Sequence, residues 1–460
     1  MSYEIPQSLQ YKEKIVFNLT LEQFVYATIF SLIAFFVYAK APFEFWTRIT
    51  MGVIILGIGV LFIYFPVFTY FKILLSHLKF REMNMFDSKM KKYLELSAVE
   101  NACYKIKTKK YETKIAVLRI EPLNFKIKPK DERDSIIYSF QKFLNALDFS
   151  IQILMYTDDL NLDTYLKELE IKINKKDKIH QELFKAHKNY LDFLMKERIA
   201  VNRKFLISIQ ENEIGLEAQL KIITEHLNNT GLKCVRLGGR QLIHVLIRMF
   251  NNPRGRIELL KKHKTIFNIT YPEQIINQPN NIQVNQYFNR IITASGYPRT
   301  VEEGFLDKII TSTGNFDLSI HIAPLPIETT IVMLNKELQK QRADLFAAQI
   351  KNKFQPSLEI QHADTRAVLE SIQKGQEKLF NISLYINVKA KSLKELDILT
   401  KIIQSQLNSI LIIPKTPKYR MSQGFKSILP FAQNELSIKR NITTQALSAF
   451  FPFTSPFLIL

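Results

Sequence analysis

A bound nucleotide phosphate needs a glycine-rich backbone cradle followed by lysine and a hydroxyl, GxxxxGK[ST], and this pattern occurs nowhere in the 460 residues. No glycine is followed directly by lysine, so P-loop hydrolysis has no seat in this chain. GxGxxG is absent as well; the fragment Gly57-Ile58-Gly59 lies in an apolar run, and Gly238-Gly239 reads as a turn between strand and helix. The eight histidines form no HExxH, and none stands at metal-ligand spacing from a cysteine. His180 and His187 fall seven apart on one face of a lysine-rich helix, a solvated surface, while His321 sits in an alternating strand as a satisfied core residue. With no G-x-S-x-G elbow either, the expectation is a chain that is not an enzyme, with no catalytic, cofactor-binding or metal-ligating residue. Cys103 and Cys234 form no CxxC and are too few for a disulfide framework or a zinc site; they read as inert thiols in a reducing compartment.

The balance of 63 Lys and Arg against 43 Asp and Glu, a net charge of +20, raises nucleic acid and anionic lipid as partners. Its clusters are Lys105–Lys110, Lys126–Lys130, Lys172–Lys176 and the stretch from Arg254 to Lys264. They are lysine-dominated and scattered over several elements, the pattern of solvated faces, and the first two flank a strand close to the membrane, where headgroups compete with nucleic acid.

The elements explain that proximity. Leu21–Ala39 carries no charge after Glu22 and has the ~20 apolar residues that a helix needs to cross a bilayer. After a nine-residue connector, Lys40–Arg48, a second run from Ile49 to Phe71 is uncharged and contains Gly52, Gly57 and Gly59. Glu4, Glu13 and Glu22 argue against a cleavable signal, so residues 1–92 are expected to be a tail and a retained two-span hairpin. Lys12 and Lys14 before the hairpin, and Lys72, Lys79 and Arg81 after it, outnumber the connector's Lys40 and Arg48. The positive-inside rule then puts both termini in the cytoplasm, with Trp46 as an interfacial anchor.

Beyond the hairpin the pattern is α+β. Lys114–Ile120, Phe149–Tyr156, Lys204–Ile209 and Lys233–Leu237 read as strands. Asp131–Leu147, Glu213–Asn229 and Arg240–Phe250 read as helices, and a long helical excursion fills Leu160–Arg198. Asn251–Asn281 is a seam poor in both helix and strand signals. The order then recurs: strand Gln286–Ala294, short helix Val301–Thr311, strand Phe316–Ile322, helical excursion Ile327–Gln373 broken near Pro356, strand Leu379–Val388, helix Ser392–Asn408, strand Ile410–Ile413. This gives two mixed α/β modules, 93–275 and 276–460, each a split β-α-β pair with a long helical insertion.

Ile5-Pro6-Gln7, Lys14-Ile15, Leu19-Thr20 and Gln23-Phe24 leading into two spans resemble the PrgI family, two-span inner-membrane subunits of type IV secretion and conjugation machines. The region that follows resembles the amino-terminal, non-motor half of the TraC-like conjugation ATPases. That likeness rests on Glu121, Pro122, Asn124 and Phe125 after the first strand, on Arg203–Ile207 and Gly231, on Ser295–Pro298, and on Pro452, Phe453, Thr454 and Ser455. In that family a P-loop motor follows, whereas this sequence stops at Leu460, so the resemblance implies membrane attachment and subunit docking rather than ATP hydrolysis.

The expectation is a non-catalytic, membrane-anchored component of a type IV secretion or conjugation-like system for DNA transfer. It would sit in the inner membrane without cofactors, dock a separate motor ATPase and other channel subunits, and belong to an oligomeric assembly. The alternatives are a membrane-tethered nucleic-acid-binding module and one half of a split or truncated conjugation ATPase.

Overall fold

The computed structural model describes residues 2–5, 14–16, 19–65, 67–107, 111–158, 182–190, 202–251, 270–350 and 356–455. They fall into two compact units, Leu9–Lys79 and the remainder, Met1–Ser8 with Phe80–Leu460. The chain thus starts in the larger unit with β1 (Ser2–Glu4), builds the smaller one, and returns.

The smaller unit holds a short antiparallel pair, β2 (Lys14–Val16) and β3 (Leu19–Thr20), and three helices, α1 (Leu21–Lys40), α2 (Phe45–Tyr64) and α3 (Val67–Lys79). α1 and α2, with 20 residues each, reach about 30 Å at about 1.5 Å per residue, the thickness of a hydrocarbon core. Both are long and apolar enough to cross a membrane, and their side chains are almost wholly uncovered. They pack together where Phe62 meets Phe30 at 5.1 Å. A Cβ on Gly59 would lie 2.8 Å from the Phe30 side chain, so this glycine sets the helix approach, whereas Gly52 and Gly57 have open space around them.

The second apolar run is not one helix as expected. α2 begins at Phe45, which takes Trp46 and Arg48 out of the connector and into the helix, and it ends at Tyr64. Phe65 is extended (φ −113°, ψ 134°), the conformation favoured before a proline, and Pro66 has no N–H to continue the ladder. α3 is therefore a separate helix.

In the larger unit, β4 (Glu82–Asn84) and α4 (Ser88–Leu94) lead into a meander, β5 (Leu96–Glu100), β6 (Cys103–Lys107) and β7 (Glu112–Ile120). Then come α5 (Lys130–Ala146), β8 (Ile151–Asp158), β9 (Asn202–Gln210), α6 (Leu216–Asn229), β10 (Cys234–Arg236) and α7 (Gly239–Met249). A second meander follows: β11 (Gln274–Asn277), β12 (Ile282–Val284) and β13 (Tyr287–Gly296). After it come β14 (Thr300–Glu302), α8 (Asp307–Ile310), β15 (Phe316–Pro324), α9 (Ile327–Ile350) and α10 (Pro356–Gln373). The chain continues with β16 (Leu379–Ala390), α11 (Leu393–Ser409), β17 (Ile413–Lys415), α12 (Met421–Ile428), β18 (Arg440–Thr443) and α13 (Thr444–Ser448).

Apart from β14, which pairs with β1, these strands make one antiparallel sheet in the order β4-β11-β12-β13-β16-β15-β8-β9-β7-β6-β5, with β10 beside β7, β17 beside β13 and β18 beside β16. Outward from the β8–β15 pair the two halves mirror one another: β8-β9-β7-β6-β5 on one side, β15-β16-β13-β12-β11 on the other. In each half the fourth strand pairs with the far end of the first, β10 at Leu118–Ile120 and β17 at Thr293–Gly296. Each half is thus a split β-α-β pair in the ferredoxin-like order 4-1-3-2, preceded by a meander and followed by a helix. The halves meet in register, with Ile153 opposite Ile320 and Gln152 opposite His321. Residues 93–275 and 276–460 share this sheet.

Strand alternation feeds two cores. Ala116, Leu118, Ile153, Ile207, Ile320 and Ile386 pack on one face, under α5, α6, α8, α11 and α13. Val117, Leu154, Leu206 and Tyr385 pack on the other, under α4, α7 and α12. Local signals work where they are strong: the Ser392 hydroxyl accepts from the Glu395 amide at 3.2 Å to cap α11, and Gly231 takes φ +82° to close α6. Two expectations fail. The seam contains β11, formed because β4 and β12 supply its ladder partners, and residues 252–269 of it lie outside the described residues. Val301–Thr311 is helical only at Asp307–Ile310; its start is strand β14, held by β1 in the register Tyr3 to Val301. The helical excursion expected at Leu160–Arg198 lies outside the described residues, apart from a helix at 182–190.

Candidate functional site

The motif residues named from sequence come together. The Glu121 amide donates to the Lys233 carbonyl at 3.0 Å as β7 ends. Pro122 follows, and Leu123 then forms a parallel bridge with Thr454: the Leu123 amide donates to the Phe453 carbonyl, and the Leu123 carbonyl accepts from the Ser455 amide, both at 2.9 Å. The Asn124 carbonyl accepts from Ile127, starting a single tight turn over Phe125–Ile127. Phe125 is buried against Phe451 at 5.3 Å, and Phe453 sits between Phe140 at 6.2 Å and Phe205 at 5.9 Å. Pro452, between Phe451 and Phe453 in the chain, is buried, and Tyr297 of the Ser295–Pro298 motif packs tilted against Phe450 at 6.0 Å. Residues more than 300 positions apart therefore build one aromatic clasp, which fastens the end of the second half onto the first crossover helix. Asp307 is buried beside Thr454; burial raises its carboxyl above the usual range, against the pull of the Thr454 hydroxyl, Lys126 and Arg133.

The opposite face carries polar groups that the sequence did not single out as a set. Gln152, fully buried on β8, donates to the Ser427 and Leu429 carbonyls at 3.2 and 3.0 Å and to the Ser319 hydroxyl at 2.9 Å, and accepts from the Ala432 amide at 2.8 Å. It satisfies the open carbonyl end of α12. His321 Nε2 lies 2.6 Å from the Ser427 carbonyl, a contact that makes it the protonated nitrogen of a neutral ring; burial pushes its pKa down to about 4. Farther along, the Lys389 ammonium meets the Asp317 carboxylate at 2.5 Å, with both side chains buried, and Asn387 bridges Asp317 to Asn289.

Arg203, from the Arg203–Ile207 motif, is also buried. It donates to the Thr157 hydroxyl and to the Phe316, Ser312 and Gly314 carbonyls, and its guanidinium lies 4.1 Å from the Phe316 ring centroid. Burial lowers its pKa to about 10, so it stays charged at neutral pH. It ties β9 of the first half to the turn that enters β15 of the second. Asp158 holds Lys204 and Arg248, each at 2.5 Å; burial opposes its ionisation, but these two cations outweigh it and lower the pKa. Lys426 reaches Glu95 at 2.9 Å and Glu435 at 3.1 Å.

These groups are positioners. Their partners are backbone carbonyls and amides, hydroxyls, side-chain amides and fixed counter-charges, and among the described residues no group of three His, Cys, Asp or Glu is placed to hold a metal ion. Cys103 is buried and Cys234 half-buried, and neither is bonded to the other. An open groove of about 710 Å³ runs between β1 and α10, lined among others by Tyr3, Glu4, Asp364, Ser371 and Glu377. Burial raises the Glu377 carboxyl, offset by the Ser371 hydroxyl and the Gln445 backbone.

Of the residues that set the expected topology, Lys12 and the side chain of Lys14 lie outside the described residues. Lys72 and Lys79 lie on α3, and the Arg81 carbonyl accepts from Asn277 at 2.7 Å, which places Arg81 in the larger unit. Of the basic clusters, Lys105 pairs with Glu100 and Lys128 with Glu132, while 108–110, 172–176 and 254–264 lie outside the described residues.

The region from β6 to the first turn of α6, residues 105–219, matches the family model TraC-like, described as the archaeal TraC-like domain. It contains Glu121–Phe125, α5, β8 and Arg203, that is, the crossover of the first half and one side of the aromatic clasp. No curated protein matches the chain.

Proposed function

We propose that this chain is a non-catalytic, membrane-anchored component of a type IV secretion or conjugation-like apparatus, which docks a separately encoded motor ATPase at the cytoplasmic face of the inner membrane. The observation that carries the reading is the TraC-like match at residues 105–219 in a chain that also has two apolar helices of spanning length. Connectivity supports only that both flanks of the hairpin lie on one side. The larger unit supplies both the β1 flank and the Phe80 flank of the hairpin, so a chain that crosses twice returns to the side it left.

The buried side chains support a scaffold more than an active site. Arg203, Gln152, Asp317 and Lys389 are spent on internal partners, and sequence 1–460 holds no P-loop. The PrgI-like reading of the hairpin, the role in DNA transfer and the oligomeric assembly belong to the same proposal. The test is affinity purification of the intact chain from detergent extract of its host. A P-loop ATPase should co-purify, and the isolated chain should not hydrolyse ATP. Hydrolysis by the isolated chain that a point substitution abolishes would overturn the reading.

A further inference from the structure

α3 is a 13-residue helix that starts three positions after α2 ends, past only Phe65 and Pro66. At about 1.5 Å per residue it reaches about 20 Å, short of the ~30 Å of a hydrocarbon core, and Lys72 sits in its middle. It is not a continuation of the span. Placed at 100° per residue, the exposed Phe68, Tyr70, Phe71, Leu74, Leu75 and Leu78 fill one arc of roughly 160°. Lys72 and Lys79 border that arc, with the Lys72 ammonium 4.3 Å from the Phe68 ring centroid. The side away from the arc carries half-buried Ile73 and Ser76, and buried His77 borders the arc beside Tyr70.

We propose that α3 is an interfacial helix. It lies in the plane of the headgroup layer of the same membrane that α1 and α2 cross, apolar arc toward the acyl chains, with Lys72 and Lys79 reaching the phosphates of anionic lipids. A broad apolar arc with lysines on its border is the shape that rests at the boundary between headgroups and acyl chains, where the long lysine stems stay in the apolar layer and the ammonium groups reach out. Two residues of chain separate α3 from the end of α2, which holds it at that depth. The inference rests on the reading of α1 and α2 as spanning helices.

The test uses the full chain in vesicles of neutral lipid, with and without one quarter phosphatidylglycerol, carrying an environment-sensitive thiol probe at one introduced cysteine. Cys103 is buried and burial pushes the Cys234 thiol up to about 11, so neither competes for the label, and the unsubstituted chain is the control. Probes at Phe71, Leu75 and Leu78 should be quenched by shallow spin-labelled lipid about two-fold more than probes at Thr69 and Ser76. The double substitution Lys72→Glu and Lys79→Glu should remove that difference in anionic vesicles and leave it unchanged in neutral ones. Equal, water-like emission at all five positions would overturn the proposal, as would an arc that is dry but unquenched, which would mean that protein covers it. Charge reversal without effect would overturn the role of anionic lipid. A probe at Leu32 on α1, read with deep spin-labelled lipid, reports separately on spanning, so failure of that reading is distinguishable.

Discussion

His321 shows at single-residue scale how the joint between the halves is held. Its ring lies opposite Gln152 across the β8–β15 pair, and both side chains reach the carbonyl end of α12. Because burial lowers its pKa from 6.5 to about 4, the unfolded chain binds a proton at a pH where the folded chain does not. The contribution is therefore complete above about pH 6.5 and lost as pH falls toward about 4, a total of about 3 kcal/mol. His321→Gln, whose amide can still donate to the Ser427 carbonyl, should lose less stability between pH 7 and about pH 4.5 than the native chain. The measurement is the shift in urea midpoint for each in detergent; equal shifts would remove His321 as the cause. The alternation in FDLSIHI does put Asp317, Ser319 and His321 on one face, so their shared side was legible. Their partners were not. Lys389 lies 72 positions away and Gln152 lies 167 positions from Ser319, and no local pattern encodes which distant strand arrives beside them.

Whole elements were legible where their signal was local and strong. β7, β8, β9, β15 and β16 are long alternating or continuous apolar runs, and α5 and α11 carry helical periodicity with an acidic first turn or a serine cap. β11, β12 and β14, three or four residues each, exist through their ladder partners, and α12, with eight residues, exists through the sheet beneath it and the cap from Gln152; neither kind of support is visible in a window of sequence. The closing segment Phe451–Ser455 has no periodicity at all, and only its resemblance to a family motif marked it. Its weight is in packing. Phe453 is fully buried among Phe140, Phe205 and Phe451, and truncation to Ala should cost about 3–5 kcal/mol, a fully buried aromatic lost with little room for the site to collapse. Phe453→Ala should also speed amide hydrogen exchange in α5, which leans on this ring, more than in α11, which does not. Uniform acceleration across the unit would mean that the tail is not a clasp on α5 but one more piece of a single cooperative core.

At the scale of the molecule, the duplication expected from element order takes the form of two ferredoxin-like halves joined along their second strands. That joint settles how each half treats its most apolar edge. β8 presents Ile151, Ile153 and Met155 to one face and Leu154 to the other, all buried, and β15 presents Leu318, Ile320 and Ile322. Separated, each would leave a long, flat, apolar edge with unpaired amides, the kind that recruits another strand. The links across the joint are more than ladder bonds: Arg203 of the first half holds the turn before β15, Gln152 holds α12, and the Phe451–Ser455 tail of the second half is bridged to Leu123. Residues 80–275 expressed alone should therefore be aggregated or edge-paired into dimers on size-exclusion chromatography, whereas Met1–Ser8 joined by a short linker to Phe80–Leu460 should be monodisperse. A monomeric 80–275 fragment with a sharp thermal transition would show that the first half is a domain in its own right and that the β8–β15 seam is an interface between two domains. The opposite result makes the larger unit a single cooperative body, in which a partner engaging one half is felt in the other through the same continuous sheet.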